Sequence, residues 1–157
     1  MRIFLILFIL ATVLPSSLLA ATSLTETGRD GKFIAYADGT VLDTRTNLMW
    51  AAKDSGYDIN WGDAKSYCAS HRGGGYKDWR LPTWDELAGL YNSNKSYRLT
   101  QRGYSVHLTE LIQLSDCCPW ASGTRGSEAA IFDFGNGPRT WSPQSYVGPA
   151  LPVRSVK

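Results

Sequence analysis

Histidine is nearly absent from this chain: His71 and His107 are the only two in 157 residues. They do not stand in a metal-ligand spacing, and neither GxSxG nor HExxH occurs, so the common serine-hydrolase and zinc-protease arrangements are excluded. A dominant charge is also lacking. Lys and Arg number 16 against 14 Asp and Glu, a formal net charge of +2, whereas a dedicated nucleic-acid binder normally carries a strong basic excess. There is no internal repeat, coiled-coil heptad or low-complexity tract. Cysteine is limited to Cys68, Cys117 and Cys118, too few for a disulfide-rich scaffold.

Long apolar runs are confined to the N-terminus. Arg2 supplies a positive start, Ile3 to Leu14 is apolar but for Thr12, Pro15-Ser16-Ser17 breaks the run, and Ala20-Ala21 offers a cleavage site. This layout predicts a signal peptide over 1–20, with an apolar stretch too short for a typical span and no membrane span once it is removed. About 137 residues remain, one domain's worth. Export would expose the cysteines to an oxidising compartment. Adjacent cysteines seldom bond each other, which favours Cys68 with Cys117 or Cys118. Such a bridge closes about 50 residues and stabilises by about 4 kcal/mol on the chain-entropy model.

What is abundant is aromatic: six tryptophans and eight tyrosines. Residues 21–32 are polar and read as a flexible lead-in to a domain over 33–157. From Phe33 the text turns β-branched and aromatic, with Asp38-Gly39 as a hairpin turn, a second turn over 43–47 and a strand over 48–51. Asn60 caps a helix to about His71, in which Trp61, Ala64 and Cys68 share one apolar stripe. Gly73-Gly74-Gly75 ends it. Thr83 and Glu86 form a capping box for a second helix, whose buried face is Trp84, Leu87, Ala88 and Tyr91. Residues 92–107 read as a long loop and 108–114 as a short amphipathic turn. Strand-like text returns from Trp120 through "AAIFDF", a Gly135-Asn136-Gly137 turn, "PRTWS" and "LPVRSVK". The result is an α+β domain.

Taken in order, "VLDTRTNLMWA", "DAKSYC", the glycine run, "DWRLPTWDEL", "AAIFDFGNG" and "LPVRSVK" resemble the Lcl C-terminal domain family over about residues 39–157. The family is bacterial and exported, long of unknown function. The resemblance implies a C-type-lectin-like fold: two main helices on small antiparallel sheets, with the N- and C-terminal strands brought together. Where roles are assigned in the family they are adhesion or binding, including sulfated glycans. Many members end in a cysteine placed to pair with the one in the first helix. Here Ser155 stands at that place, so that bridge cannot form.

Within this frame Arg80, flanked by Trp79 and followed by Thr83, Trp84 and Glu86, is read as scaffolding: it donates to loop carbonyls at the helix entry. The EPN, QPD and WND triplets of calcium-dependent sugar sites are missing, so no metal and no cofactor is expected. No acidic residue occurs from Ala88 to Thr109, where Lys95, Arg98 and Arg102 alternate with Tyr91, Tyr97 and Tyr104. Exposed, this segment would offer cations for sulfate or carboxylate groups and rings for sugar faces. Arg125, Arg139 and Trp141 could extend it. The expectation is a non-catalytic, periplasmic or extracellular module for anionic or cell-surface glycans. A structural or protein-interaction subunit of the envelope is the alternative, and an enzyme stands third.

Overall fold

The computed structural model describes residues 24–137 and 139–156, with Arg139 described by its backbone alone; the signal-like segment 1–20 lies outside the described residues. Strands β1 (Glu26–Asp30), β2 (Phe33–Tyr36), β3 (Thr40–Asp43) and β4 (Leu48–Ala51) form an antiparallel meander. Its turns are those the sequence signals. Gly39 takes φ 80° while Asp38 Oδ1 accepts from the Thr40 amide and hydroxyl, and Asn47 takes φ 54°. β1 corrects the expected lead-in. Part of residues 21–32 is an edge strand, because its amides and carbonyls complete the ladder of β2.

The remaining elements are α1 (Trp61–Ser70), α2 (Trp84–Ala88), the short pair β5 (Tyr97–Arg98) and β6 (Ser105–Val106), then β7 (Trp120–Arg125), β8 (Glu128–Phe132), β9 (Arg139–Pro143) and β10 (Val153–Ser155). β10 returns to pair with β4, giving a five-stranded sheet in the order β1-β2-β3-β4-β10, and β7-β8-β9 form a second sheet. The architecture is α+β with small antiparallel sheets. The terminal strands share a sheet but occupy opposite edges, with the meander between them. Among the described residues no helix is long and apolar enough to cross a membrane.

Both helix starts follow from their caps. Asn60 accepts from the Asp63 amide at 3.0 Å. Thr83 Oγ1 accepts from the Glu86 amide while Glu86 Oε2 accepts from the Thr83 amide at 2.8 Å, the full capping box. The stripe of α1 places Ala64 and Cys68 against Leu81, Trp120, Ala129 and Ile131. α2 sets Leu87 into the main core with Val41, Trp50 and Phe132. β4 is buried on both faces, Trp50 toward that core and Met49 and Ala51 toward Trp79, which accounts for its unbroken apolar text. Residues 108–114 are apolar as expected, with Leu108, Ile112 and Leu114 buried. They form turns rather than a helix, because the Gln113 amide donates to Ala52 and its carbonyl accepts from Asp54, strand-like bonds to the chain leaving β4.

The decamer Asp78–Leu87 is the seam that locks β10 in place. Arg80 and Val153 exchange backbone hydrogen bonds at 2.9 and 3.0 Å. The Arg80 guanidinium donates to both Glu86 oxygens, at 2.7 and 2.6 Å, so the residue that closes the capping box also holds the arginine. Arg154 on β10 donates to both oxygens of Asp78 and lies 3.8 Å from the Tyr76 ring centroid. Trp79 is 3% exposed beneath them. The Arg80 guanidinium is thus engaged mainly by the Glu86 carboxylate rather than by the loop carbonyls expected of it, with one long contact of 3.4 Å to the Leu81 carbonyl.

Candidate functional site

Three concavities lie along the segment 95–116. The largest, about 560 Å³, is lined by Tyr97, Arg98, Thr100, Gln101, Glu110, Gln113 and Ser115, with Gly56. Its wall is the β5–β6 hairpin. Leu99, buried, anchors the hairpin turn; its carbonyl accepts from Gly103 at 2.8 Å and its amide donates to Tyr104. Gly103 takes φ 78° there, a conformation that a side chain resists. The floor is the segment 110–115 laid beside residues 53–56. Asp54 fastens it, with Oδ2 accepting from the Ser115 amide and hydroxyl and Oδ1 from the Gly56 amide. Burial pushes the Asp54 carboxyl above its ordinary value, against those hydrogen bonds.

The expected cationic patch is divided by acids from distant parts of the sequence. Lys95 pairs with Asp30 of β1. Arg102 is held by Asp58 at 2.7 Å and Asp116 at 3.0 Å. Arg125 pairs with Glu128 and stacks 4.7 Å from the Trp141 ring, on the β7–β9 sheet and outside the groove. Arg139 sits opposite Phe132 in β9. Arg98 alone among these described cations is exposed in the groove with no acidic partner among the described residues.

Two of the segment's tyrosines, Tyr97 and Tyr104, are likewise committed at their hydroxyls. Tyr97 donates to the Ile112 carbonyl at 2.9 Å and accepts from the Leu114 amide at 2.8 Å. Burial pushes that phenol up to about 12. Its half-buried ring remains as groove wall. Tyr104 donates to Asp116 and accepts from the Cys117 amide. Thus Tyr97 and Arg98 enter the largest groove together, while Lys95 and Tyr104 line two smaller ones. Thr100, Gln101, Glu110, Gln113 and Ser115 were not legible as site residues. Their contribution depends on residues 110–115 crossing to residues 53–56, a pairing with no local sequence signal.

The two histidines are packed rather than poised. His71 meets the Trp79 ring at 4.9 Å and burial lowers its pKa. His107 Nδ1 lies 2.9 Å from the Lys95 carbonyl.

The disulfide expectation is corrected. Cys117 bonds Cys118, and Cys68 is a free thiol. Cys68 points into the apolar contact of α1 with β7 and β8, where it is 0% exposed and burial pushes its pKa up to about 12. Cys117 and Cys118 instead turn their sulfurs toward each other in the loop before β7. Among the described residues, one group of His, Cys, Asp or Glu side chains is close enough to share an ion: Cys117, Cys118 and Asp133.

No curated protein matches this chain. The family model of the Lcl C-terminal domain does, over residues 39–156. That span runs from the Asp38-Gly39 turn to the end of β10, taking in the seam and the groove, and the chain belongs to the Lcl C-terminal domain family.

Proposed function

We propose that this protein is an exported, non-catalytic glycan-binding module with a C-type-lectin-like fold, and that its site is the groove walled by Tyr97 and Arg98. The observation that carries the reading is the groove's chemistry. A half-buried ring shares about 560 Å³ with two side-chain amides, the Thr100 hydroxyl, the Glu110 carboxylate and the Arg98 guanidinium. Arg98 has no acid within pairing distance among the described residues, while the Ser115 hydroxyl is bonded to Asp54. Amides and hydroxyls match sugar hydroxyls, a ring edge or face matches apolar sugar C–H surface, and a guanidinium takes a carboxylate or sulfate in bidentate fashion. With Lys95 and Arg102 already paired, the ligand is a sparsely charged acidic glycan, one anionic group per bound segment, and not a densely sulfated chain. Export rests on the signal-like text of residues 1–20.

The test is binding of the protein to sulfated, carboxylated and neutral polysaccharides at two salt concentrations, with calcium and with chelator. Binding that weakens with salt and ignores chelator supports the reading. A flat panel from folded protein overturns it. A second reading, docking of an envelope protein, draws on exposed Tyr57, Tyr146 and Val147, which flank the Ile59–Gly148 backbone bridge. Crosslinking from that strip to a stable partner, beside a flat glycan panel, would favour it.

A further inference from the structure

The chain leaving the Cys117–Cys118 pair runs beside residues 132–134. The Phe134 amide donates to the Cys117 carbonyl at 3.0 Å, and the Phe132 amide donates to Pro119 at 3.2 Å. That pairing delivers Asp133 to the two sulfurs: one ligand-capable atom from each of the three residues lies within 4.8 Å of the others. The carboxylate is fixed in place. Oδ1 accepts from the amides of Gly135 and Asn136, at 2.8 and 3.2 Å, and Oδ2 from Asn136 Nδ2 at 3.0 Å. Carboxylates that bind metals are commonly held by such outer hydrogen bonds, which orient them and leave lone pairs for the ion. The site is also open. Cys117 and Asp133 line a concavity of about 270 Å³ with Tyr104, Ser105 and Asn136.

We propose that Cys117, Cys118 and Asp133 form a redox-gated site for a thiophilic divalent cation such as Zn²⁺, closed as the disulfide and opened by a dithiol reductant. As the disulfide, both sulfurs are covalently engaged and neither is a thiolate. A thiolate of the reductant attacks one sulfur, breaking the S–S bond and forming a mixed disulfide. The second thiol of the reductant then displaces the other cysteine. Two electrons pass to the protein, the reductant leaves as its own disulfide, and Cys117 and Cys118 become thiols. Binding of the cation displaces their two protons, and two sulfurs with one carboxylate oxygen make a three-ligand set. Zinc–sulfur bonds of about 2.3 Å and zinc–oxygen bonds of about 2.1 Å set ligand atoms roughly 3.3–3.8 Å apart. Freed from each other, the two sulfurs reach that spacing by side-chain rotation. The third cysteine stays outside, buried in α1 at 0% exposure.

The experiment is titration of the full chain with Cd²⁺, as a spectroscopic stand-in for Zn²⁺, in two states: air-oxidised, and reduced with a phosphine that is then removed. The expected result is one Cd²⁺ per reduced chain with ultraviolet thiolate-to-cadmium absorbance, displaced by Zn²⁺, and none in the oxidised chain. This comparison needs no mutation. Asp133→Asn should keep the absorbance and weaken binding about tenfold. Cys118→Ser should lower the absorbance by half or more, one of the two thiolates being lost, and Cys68→Ser should change nothing, with near-ultraviolet circular dichroism confirming that each variant is folded. Equal binding by the oxidised chain, an affinity of the Asp133→Asn variant equal to the parent's, or loss of binding in Cys68→Ser would each overturn the proposal.

Discussion

The seam around Asp78–Leu87 and the groove rim around Lys95–Tyr104 are made of the same materials, arginine beside aromatic rings, and they do opposite work. In the seam both arginines have their acid, Glu86 six residues on for Arg80 and Asp78, 76 residues away, for Arg154. Each guanidinium is held bidentately against backbone that must stay put. On the rim two cations have theirs as well, Asp30 for Lys95 and Asp58 with Asp116 for Arg102, but Arg98 has none among the described residues. An arginine whose acid is supplied by the fold is structure. One whose acid is missing can take it from a ligand.

Breaking the seam should give the largest effect. Trp79→Ala removes a side chain that is 3% exposed and donates to the Gly73 carbonyl, and the loss expected in chemical denaturation is about 3–5 kcal/mol. Glu86→Ala removes both the capping carboxylate and the partner of Arg80. It should cost about 1–2 kcal/mol, the cap supplying most of it because the ion pair is partly solvated.

The same variant sharpens the comparison through pH. Burial raises the Glu86 carboxyl, but the bonds from Arg80 and Thr83 outweigh it and hold it below its ordinary 4.5. A carboxyl lowered by folding contributes fully above its unfolded value and loses that contribution as pH falls through its folded value. Stability should therefore decline below about pH 4.5, and Glu86→Ala should flatten part of that decline in acid titrations of the denaturation midpoint. Asp43, lowered by Lys32 and the Arg45 amide despite burial, and Asp30, lowered by its hydrogen bonds with Lys95 and Thr109, keep the remainder. Asp54 works in the opposite sense. Its raised carboxyl is penalised when ionised in the fold, so its protonation on acidification stabilises.

A smaller effect is expected at the disulfide. Cys117 and Cys118 are neighbours in sequence, so their bridge restricts the unfolded chain little. Replacing both by serine should cost about 1 kcal/mol, against the roughly 4 kcal/mol of a bridge closing about 50 residues. A loss near the larger figure would show a role in the fold that loop entropy does not supply.

Most of the fold was legible because its signals are local. Asp38-Gly39 specified a hairpin, Asn60 capped α1, and Thr83 with Glu86 capped α2. The resemblance carried by "DWRLPTWDEL" identified the family. What failed was non-local. β1 is polar text that becomes a strand only because β2 offers an open edge. Residues 108–114 form the apolar turns expected of them, but their pairing with the backbone of residues 52–54 had no local signal. The cysteine pairing turned on which way Cys68 faces, and an inward stripe on α1 was read correctly while its consequence, a thiol sealed from partners, was not. The patch was legible as a run without acids. Its neutralisation by Asp30, Asp58 and Asp116 depends on contacts that no spacing rule reports.

The central claim, that the groove binds through its unpaired cation, is tested most directly by comparing Arg98→Glu with Lys95→Ala on one acidic polysaccharide at low salt. Both sites are exposed, so stability should shift by no more than about 0.5 kcal/mol in either. The account predicts that Arg98→Glu weakens binding about tenfold or more, while Lys95→Ala stays near the parent, because Lys95 is already engaged by Asp30. Equal loss in both variants, or full binding by Arg98→Glu, would contradict it.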